Sequence, residues 1–260
     1  MKWLFAAMLV TSAVGIADAI TDTAPATLRQ EIGQEIEPSK RVRPLVVIDP
    51  GHGGSNPGGQ NQITGLREKD VTLDLARLVR TRLIAAGIDV VLTRDDDRTL
   101  TLRQRMLVAN AINADLLLSI HTNASPTRTQ RGFETYVLTP AAVDIDGRAI
   151  RRDAATARAN VPGDIGPILD DVERGSAQWD AAEFAADMQE QLELIRGVDG
   201  NRGVRQDAQH VLLGASMPAA LVEVGFLDHP IEGRDLADPA TRIKLADAIS
   251  HAVAMQFNKN

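Results

Sequence analysis

The 260-residue sequence contains no cysteine. No disulfide scaffold, thiol nucleophile or thiolate-held metal is available to it, so any metal must sit on His, Asp and Glu. Aromatic residues make up only 3% of the chain, which leaves a core built on Leu, Ile, Val and Ala. Positive charge is in deficit as well, with 28 Lys and Arg against 35 Asp and Glu for a net charge of -7. Phosphate-backbone binding needs a basic face, so nucleic acid is excluded as the main partner. Long hydrophobic runs are missing too. The longest, Trp3–Ile16, falls short of the roughly 20 apolar residues that span a bilayer.

What is present is a globular composition, 44% apolar and 24% charged, long enough for one large domain or two small ones. The first residues, MKWLFAAMLVTSAVGIADA, form a separate object. A basic start, an apolar stretch and an Ala17-Asp18-Ala19 site predict a secretory signal peptide over residues 1–19. Without a lipobox cysteine it is not a lipoprotein signal. No membrane span is expected after cleavage, and a periplasmic or secreted location follows. Residues 20–43 are polar with two prolines and read as a linker or arm.

From Pro44 the pattern alternates. Leu45–Ile48, Ile88–Leu92, Leu116–Ile120, Gly132–Leu138 and Ala219–Val224 read as strands, mostly as continuous apolar runs. Helical spacing runs over Lys69–Ala85. Thr101 with Gln104 forms a capping box for a helix to about Ala114. Asp238-Pro239 opens a last helix with Leu245, Ile249, Val253 and Phe257 facing inward. Buried strands alternating with helices indicate an α/β sheet covered on both faces. Residues 141–201 interrupt this rhythm with Pro162-Gly163 and Gly166-Pro167. Helical stripes at Ile168–Val172 and Trp179–Ile195 make this stretch a helical insertion, either solvated or acting as a lid over a site. Arg94-Asp95-Asp96-Asp97-Arg98 reads as a solvated loop, because a calcium loop would need regular ligand spacing and a distal Glu. The Gly-rich turn Gly51–Gly59 lacks a following Gly-Lys-Ser/Thr, which argues against phosphate binding.

In open α/β sheets, sites form beyond the carboxyl ends of strands. His52 follows the first strand in DPGHGG, and His121 follows the third in SIHTNAS. Glu223 lies near the end of the last strand in LVEVGF, and Glu68 sits where the Gly-rich loop becomes a helix. Two imidazoles and one carboxylate leave a tetrahedral zinc one open position for water. A further carboxylate is then needed to carry the proton to a leaving amine. Spacing alone does not say which Glu does which. His210, His229 and His251 have no such context.

The stretches VVIDPGHGG, GLREKDVTLDLA, GIDVVLTRDDD, LRQRMLVANAINADLLLSIHTNAS, GFETYVL and MPAALVEVGFLDHPIE together resemble the zinc-dependent N-acetylmuramoyl-L-alanine amidases, in the family's order from Leu45 to Phe257. The resemblance implies a phosphorylase/hydrolase-like three-layer α/β fold, a mixed sheet of about six strands with helices on both faces, in a catalytic domain over residues 44–260. It implies one zinc ion per chain, held by His52, Glu68 and His121, with Glu223 as the catalytic carboxylate. It implies peptidoglycan as substrate and cleavage of the amide between N-acetylmuramic acid and L-alanine of the stem peptide. Some relatives carry a helix over the zinc until an activator protein removes it. Residues 141–195 occupy that place here, and Glu173 or Glu183 would be the acid to reach the metal. The family often has an acid after the Gly-rich turn, where this chain has Ser55-Asn56-Pro57. Two other readings use the same residues: a zinc peptidase acting on wall stem peptides, and a non-catalytic wall-binding regulator. The latter has no use for an open metal site.

Overall fold

The computed structural model describes residues 41–139, 165–209 and 211–258, with the backbone alone for 165–174. The expected signal peptide, most of the arm, His210 and residues 141–164 of the insertion lie outside the described residues.

The elements run β1 (Leu45–Pro50), α1 (Glu68–Ala85), β2 (Asp89–Leu92), α2 (Leu102–Ala111), β3 (Leu116–Asn123), β4 (Phe133–Leu138), α3 (Ile165–Arg196), β5 (Asn201–Asp207), β6 (Ala219–Phe226), α4 (Glu232–Ala237) and α5 (Pro239–Asn258). They form one six-stranded sheet in the order β2-β1-β3-β6-β4-β5. β2, β1, β3 and β6 are parallel, β4 is antiparallel to β6, and β5 is parallel to β4. The expected mixed α/β sheet is therefore present.

Strand side chains alternate between faces, and both faces of this sheet are used. Val46, Ile48, Leu116, Leu118, Ile120, Ala220, Val222 and Val224 pack with α1, α3 and α5 into one buried cluster. Their neighbours Leu45, Val47, Leu117, Ala219 and Leu221 join Ala109 and Ile112 of the α2 region in a second. This double burial is why the central strands read as unbroken apolar runs. The capping box at Thr101 forms as expected, with Gln104 bonded in both directions. Asp238 caps α5 by accepting from the Ala240 N–H at 3.1 Å.

Three expectations change. The two helical stripes of the insertion belong to one continuous helix, α3. Gly166-Pro167 does not break it, because proline is tolerated in a first helical turn. Ala181, Phe184, Ala185, Met188 and Leu192 of α3 are buried against the sheet, whereas Trp179 and Leu194 are exposed. The sequence reading also lacked β5, whose residues NRGVRQD lie on a solvated sheet edge with no apolar alternation to reveal them. Finally, Arg94–Arg98 is not simply a solvated loop. Arg94 is buried and donates to the carbonyls of Pro50, Gly51 and Lys69, and Asp97 accepts from Lys69 Nζ at 2.7 Å.

Candidate metal centre

The sheet face covered by α2 changes character along its strands. Behind Leu45 and Val47 comes Asp49, behind Leu117 come Ser119 and His121, and behind Leu221 comes Glu223. The same strand parity that buries the apolar residues thus lines up polar ones at the carboxyl ends of the parallel strands. Register sets them side by side, with His121 opposite Glu223 and Glu223 opposite Glu134 of β4.

His52 leaves β1 in a left-handed backbone conformation, φ 58°. For a residue other than glycine this is an uncommon, strained state that its surroundings must hold in place. Two buried arginines do so. Arg94 binds the Pro50 and Gly51 carbonyls, and Arg105 donates to Pro50 O at 2.8 Å and His52 O at 2.6 Å. Arg105 also pairs with Asp49 at 2.8 Å, and Asp49 further accepts from Thr93 and Ser119. Burial pushes the Asp49 carboxyl up, but the Arg105 charge and these hydrogen bonds outweigh it, and its pKa is lowered. Arg105→Ala would leave the Asp49 charge buried and unpaired. We expect a loss of about 3–5 kcal/mol in a urea unfolding curve, since breaking a buried pair strands its partner. A loss below about 1 kcal/mol, the range of an exposed ion pair, would contradict this role.

Glu68 opens α1, where the helix dipole favours an acid. Its carboxylate is buried and touches both imidazoles, with His121 Nδ1 3.0 Å from Oε1 and His52 Nε2 3.0 Å from Oε2. The Thr122 N–H donates to Oε1 at 3.0 Å and the Gly59 N–H to Oε2 at 2.8 Å. Burial opposes the charge, yet the hydrogen bonds and charges of His121 and His52 hold the Glu68 carboxyl well below the usual range. His52 is shifted the other way: burial lowers its pKa, but the Glu68 hydrogen bond and charge outweigh that and raise it. The two rings meet edge to face with centroids 4.9 Å apart. His52 Nδ1 faces Asn56 Oδ1 at 3.1 Å, which leaves Nε2 turned inward. Glycine is required around the rings. A Cβ on Gly51 would fall 2.4 Å from the His121 ring, and one on Gly58, at φ 67°, would fall 2.5 Å from Glu68 Oε2.

His52, Glu68 and His121 bring three candidate ligand atoms within 4.8 Å of one another, the one such group among the described residues. The two histidine side chains keep 23% and 18% of their surface exposed, so the cluster opens to solvent. A set of two imidazole nitrogens and one carboxylate oxygen suits zinc with a coordination position left open. Glu223 stands beside this cluster, and its Oε2 is buried without a hydrogen-bond partner. Burial first, then the Glu68 and Glu134 charges, push its pKa well above the normal carboxylate value. The structure therefore brings together all four residues singled out in the sequence. Glu183 lies on α3, exposed on the helix packed against the sheet, and the Glu173 side chain lies outside the described residues. His229 caps α4 through the Glu232 N–H, and His251 pairs with Gln191.

Four further residues shape the site: Asp49, Arg105 and Glu134, which nothing in the sequence singles out, and Arg94, which reads there as part of a solvated loop. Glu134 is buried and accepts from Asn123 at 2.7 Å, Tyr136 at 3.1 Å and Arg202 at 3.0 Å. Its signal was its place opposite Glu223, which requires the strand register.

Residues 46–255 match the family model described as N-acetylmuramoyl-L-alanine amidase. Among curated proteins, the amidase AmiC of Neisseria meningitidis serogroup B is 30% identical over 83% of this chain and 53% of its own length. This chain thus spans about half of that relative. The amidase AmiA of Escherichia coli K12 is 30% identical over 82% of this chain and 76% of its own. Among solved structures, the N-acetylmuramoyl-L-alanine amidase from Clostridium difficile 630 superposes with TM-score 0.67 at 28% identity, covering 85% of this chain and all 100% of that one. The amidase AmiC2 of Nostoc punctiforme gives TM-score 0.63 at 28% identity, covering 83% of this chain and 98% of its own.

Proposed function

The chain belongs to the N-acetylmuramoyl-L-alanine amidase family, and from that membership and the geometry of its site we propose that it hydrolyses the amide joining N-acetylmuramic acid to the L-alanine of the peptidoglycan stem peptide. The observation that carries this reading is the His52–Glu68–His121 cluster beside a buried, unpartnered carboxylate oxygen on Glu223. His52, Glu68 and His121 would hold one zinc ion. Zinc in such a set supplies Lewis acidity, lowering the pKa of a coordinated water and polarising an amide carbonyl.

Each residue then has a task. Glu68 sets its two oxygens against the two imidazoles, which gathers the three side chains where they would face the metal together, while backbone N–H groups of Gly59 and Thr122 fix Glu68. Asn56 holds the outer nitrogen of His52, so that Nε2 keeps its lone pair for the metal. Glu223 takes the proton from the attacking water as a general base. As the C–N bond breaks, it passes that proton to the departing alanine nitrogen as a general acid. A carboxylate whose surroundings raise its pKa suits both halves of this exchange.

The test is a digest of purified peptidoglycan with and without chelator, read by mass spectrometry. Free stem peptides with an L-alanine N-terminus, alongside peptide-free glycan, are expected, and chelator abolishes both. Cuts within the stem would establish a wall peptidase instead. Retention on the wall with no cut in the presence of zinc, by the full chain and equally by a chain lacking residues 164–176, would establish a binding protein.

Action on the wall places the protein in the periplasm or outside the cell, in keeping with the signal peptide expected over residues 1–19. Among the described residues no helix is long and apolar enough to cross a membrane. We propose further that the covering stretch expected over residues 141–195 is narrowed to the part before Ala181, because α3 from Ala181 onward is packed into the core, and that an activator protein withdraws it. Among the described side chains of α3 the buried ones begin at Ala181, so the deletion that tests this stops short of them and removes residues 164–176. That deletion is expected to raise basal peptidoglycan turnover at least several-fold with an unchanged unfolding midpoint. Unchanged turnover in a folded protein would exclude the covering role.

A further inference from the structure

Beyond Glu223, away from the histidines, the sheet ends in an unusual arrangement on β5. Thr135 of β4 pairs with Val204, but Phe133 pairs with Asn201, so β5 carries an extra residue there. The bulge contains Gly203 at φ 80°. In a regular strand, Arg202 and Arg205 are an odd number of residues apart and would point to opposite faces. The bulge reverses this and aims both at one carboxylate oxygen, with Arg202 Nε 3.0 Å and Arg205 Nε 3.5 Å from Glu134 Oε2. Bulges beside active sites commonly re-aim side chains in this way.

Glu134 does not need both arginines. Its Oε1 is filled by Asn123 and Tyr136, and Arg202 alone satisfies Oε2 at hydrogen-bond distance. The Arg205 side chain is 50% exposed and makes only the long contact through Nε. Its two terminal nitrogens have no hydrogen-bond partner among the described residues. A guanidinium held by its inner nitrogen, with the outer pair facing solvent, is set to grip a planar anion with two parallel bonds.

Strand order supplies the direction. From β1 to β5 the face presents His52, His121, Glu223, Glu134 and then the arginines. Glu223 gives its proton to the leaving alanine nitrogen, so the departing peptide lies on its side of the cluster. β5 is two strands beyond Glu223, about 10 Å at ordinary strand spacing. An extended peptide covers about 3.3–3.6 Å per residue, and an arginine reaches back over the remainder.

We propose that Arg205, supported by Arg202 and Glu134, forms a carboxylate-binding subsite that takes the free α-carboxylate of the acidic second residue of the stem peptide. This rests on the amidase reading above. A stem peptide with that carboxylate amidated is then the poorer ligand.

The test uses zinc-loaded Glu223→Gln protein, which cannot turn substrate over, and two synthetic muramoyl peptides differing only in that group. Calorimetry is expected to show the free acid binding about 10–100-fold tighter, the range of a hydrogen bond between charged groups. Adding Arg205→Ala should bring the two affinities together, and Arg205→Lys should restore part of the difference. In otherwise unaltered enzyme, Arg205→Ala should raise KM for the free acid while kcat and the unfolding midpoint hold. An unchanged affinity ratio in Arg205→Ala, or no preference to begin with, overturns the subsite. Failure of both the unaltered chain and a chain lacking residues 164–176 to cut either peptide would overturn the amidase reading, while the affinity ratio still decides the subsite.

Discussion

Glu223→Gln is expected to abolish nearly all hydrolysis, leave zinc binding intact and leave the fold at least as stable as before. Loss of a general acid–base commonly costs about 10²–10⁴ in rate. The metal stays because the cluster of His52, Glu68 and His121 is complete without Glu223. The stability result follows from the same environment that suits the residue to its task. In metal-free protein, burial and the charges of Glu68 and Glu134 raise the Glu223 pKa, so the folded state holds its proton more tightly than the unfolded chain. Stability therefore falls as pH rises above the unfolded value near 4.5 toward the raised folded value. The neutral amide removes that dependence. Thermal unfolding of chelated protein should show the variant gaining on the parent as pH rises above 4.5. A variant that loses stability across this range would make Glu223 a structural acid with a partner, and one that keeps more than a tenth of the turnover would remove it from the reaction.

How much of this could be read in advance differs by element. β1, β3 and β6 were legible because burial on both faces makes them continuous apolar runs, and His52 and His121 were legible because they end two of those runs. α1, α2 and α5 declared themselves by spacing and caps. β5 was silent, since a solvated edge strand has no inner face to write into its sequence, and its bulge is a matter of register rather than composition. Arg94 and Arg105 looked like ordinary surface charges. Their burial depends on the carbonyls of the Pro50–His52 turn, which come from a distant part of the chain. The division of labour between the two glutamates was not in the spacing either. Family resemblance suggested it, and the geometry offers a physical reason: Glu68 spends both oxygens on imidazoles and backbone donors, whereas one Glu223 oxygen is left over.

That difference makes Glu68→Ala the contrasting experiment. Here metal and activity should fall together. Zinc affinity should drop by more than the roughly 10–100-fold typical of losing an outer partner of a ligand, because a ligand itself is gone. Amide hydrolysis should become undetectable at zinc concentrations that saturate the parent. Metal-free Glu68→Ala should also unfold more easily at neutral pH, the reverse of Glu223→Gln. The Glu68 pKa is depressed in the fold, so its contribution is fully present above the unfolded value near 4.5 and is lost as pH falls toward the folded one. Protons should compete with zinc in the parent as well. The His52 pKa is raised from 6.5, and a protonated imidazole cannot bind metal, so zinc affinity should weaken as pH drops through and below that raised value. Zinc titrations at several pH values, run beside unfolding curves of both variants, read all of these signs. If Glu68→Ala kept its zinc, or if both variants moved stability in the same direction, the two carboxylates would not be the opposed pair that their surroundings describe: one held charged to bind a metal, the other held ready to take up a proton.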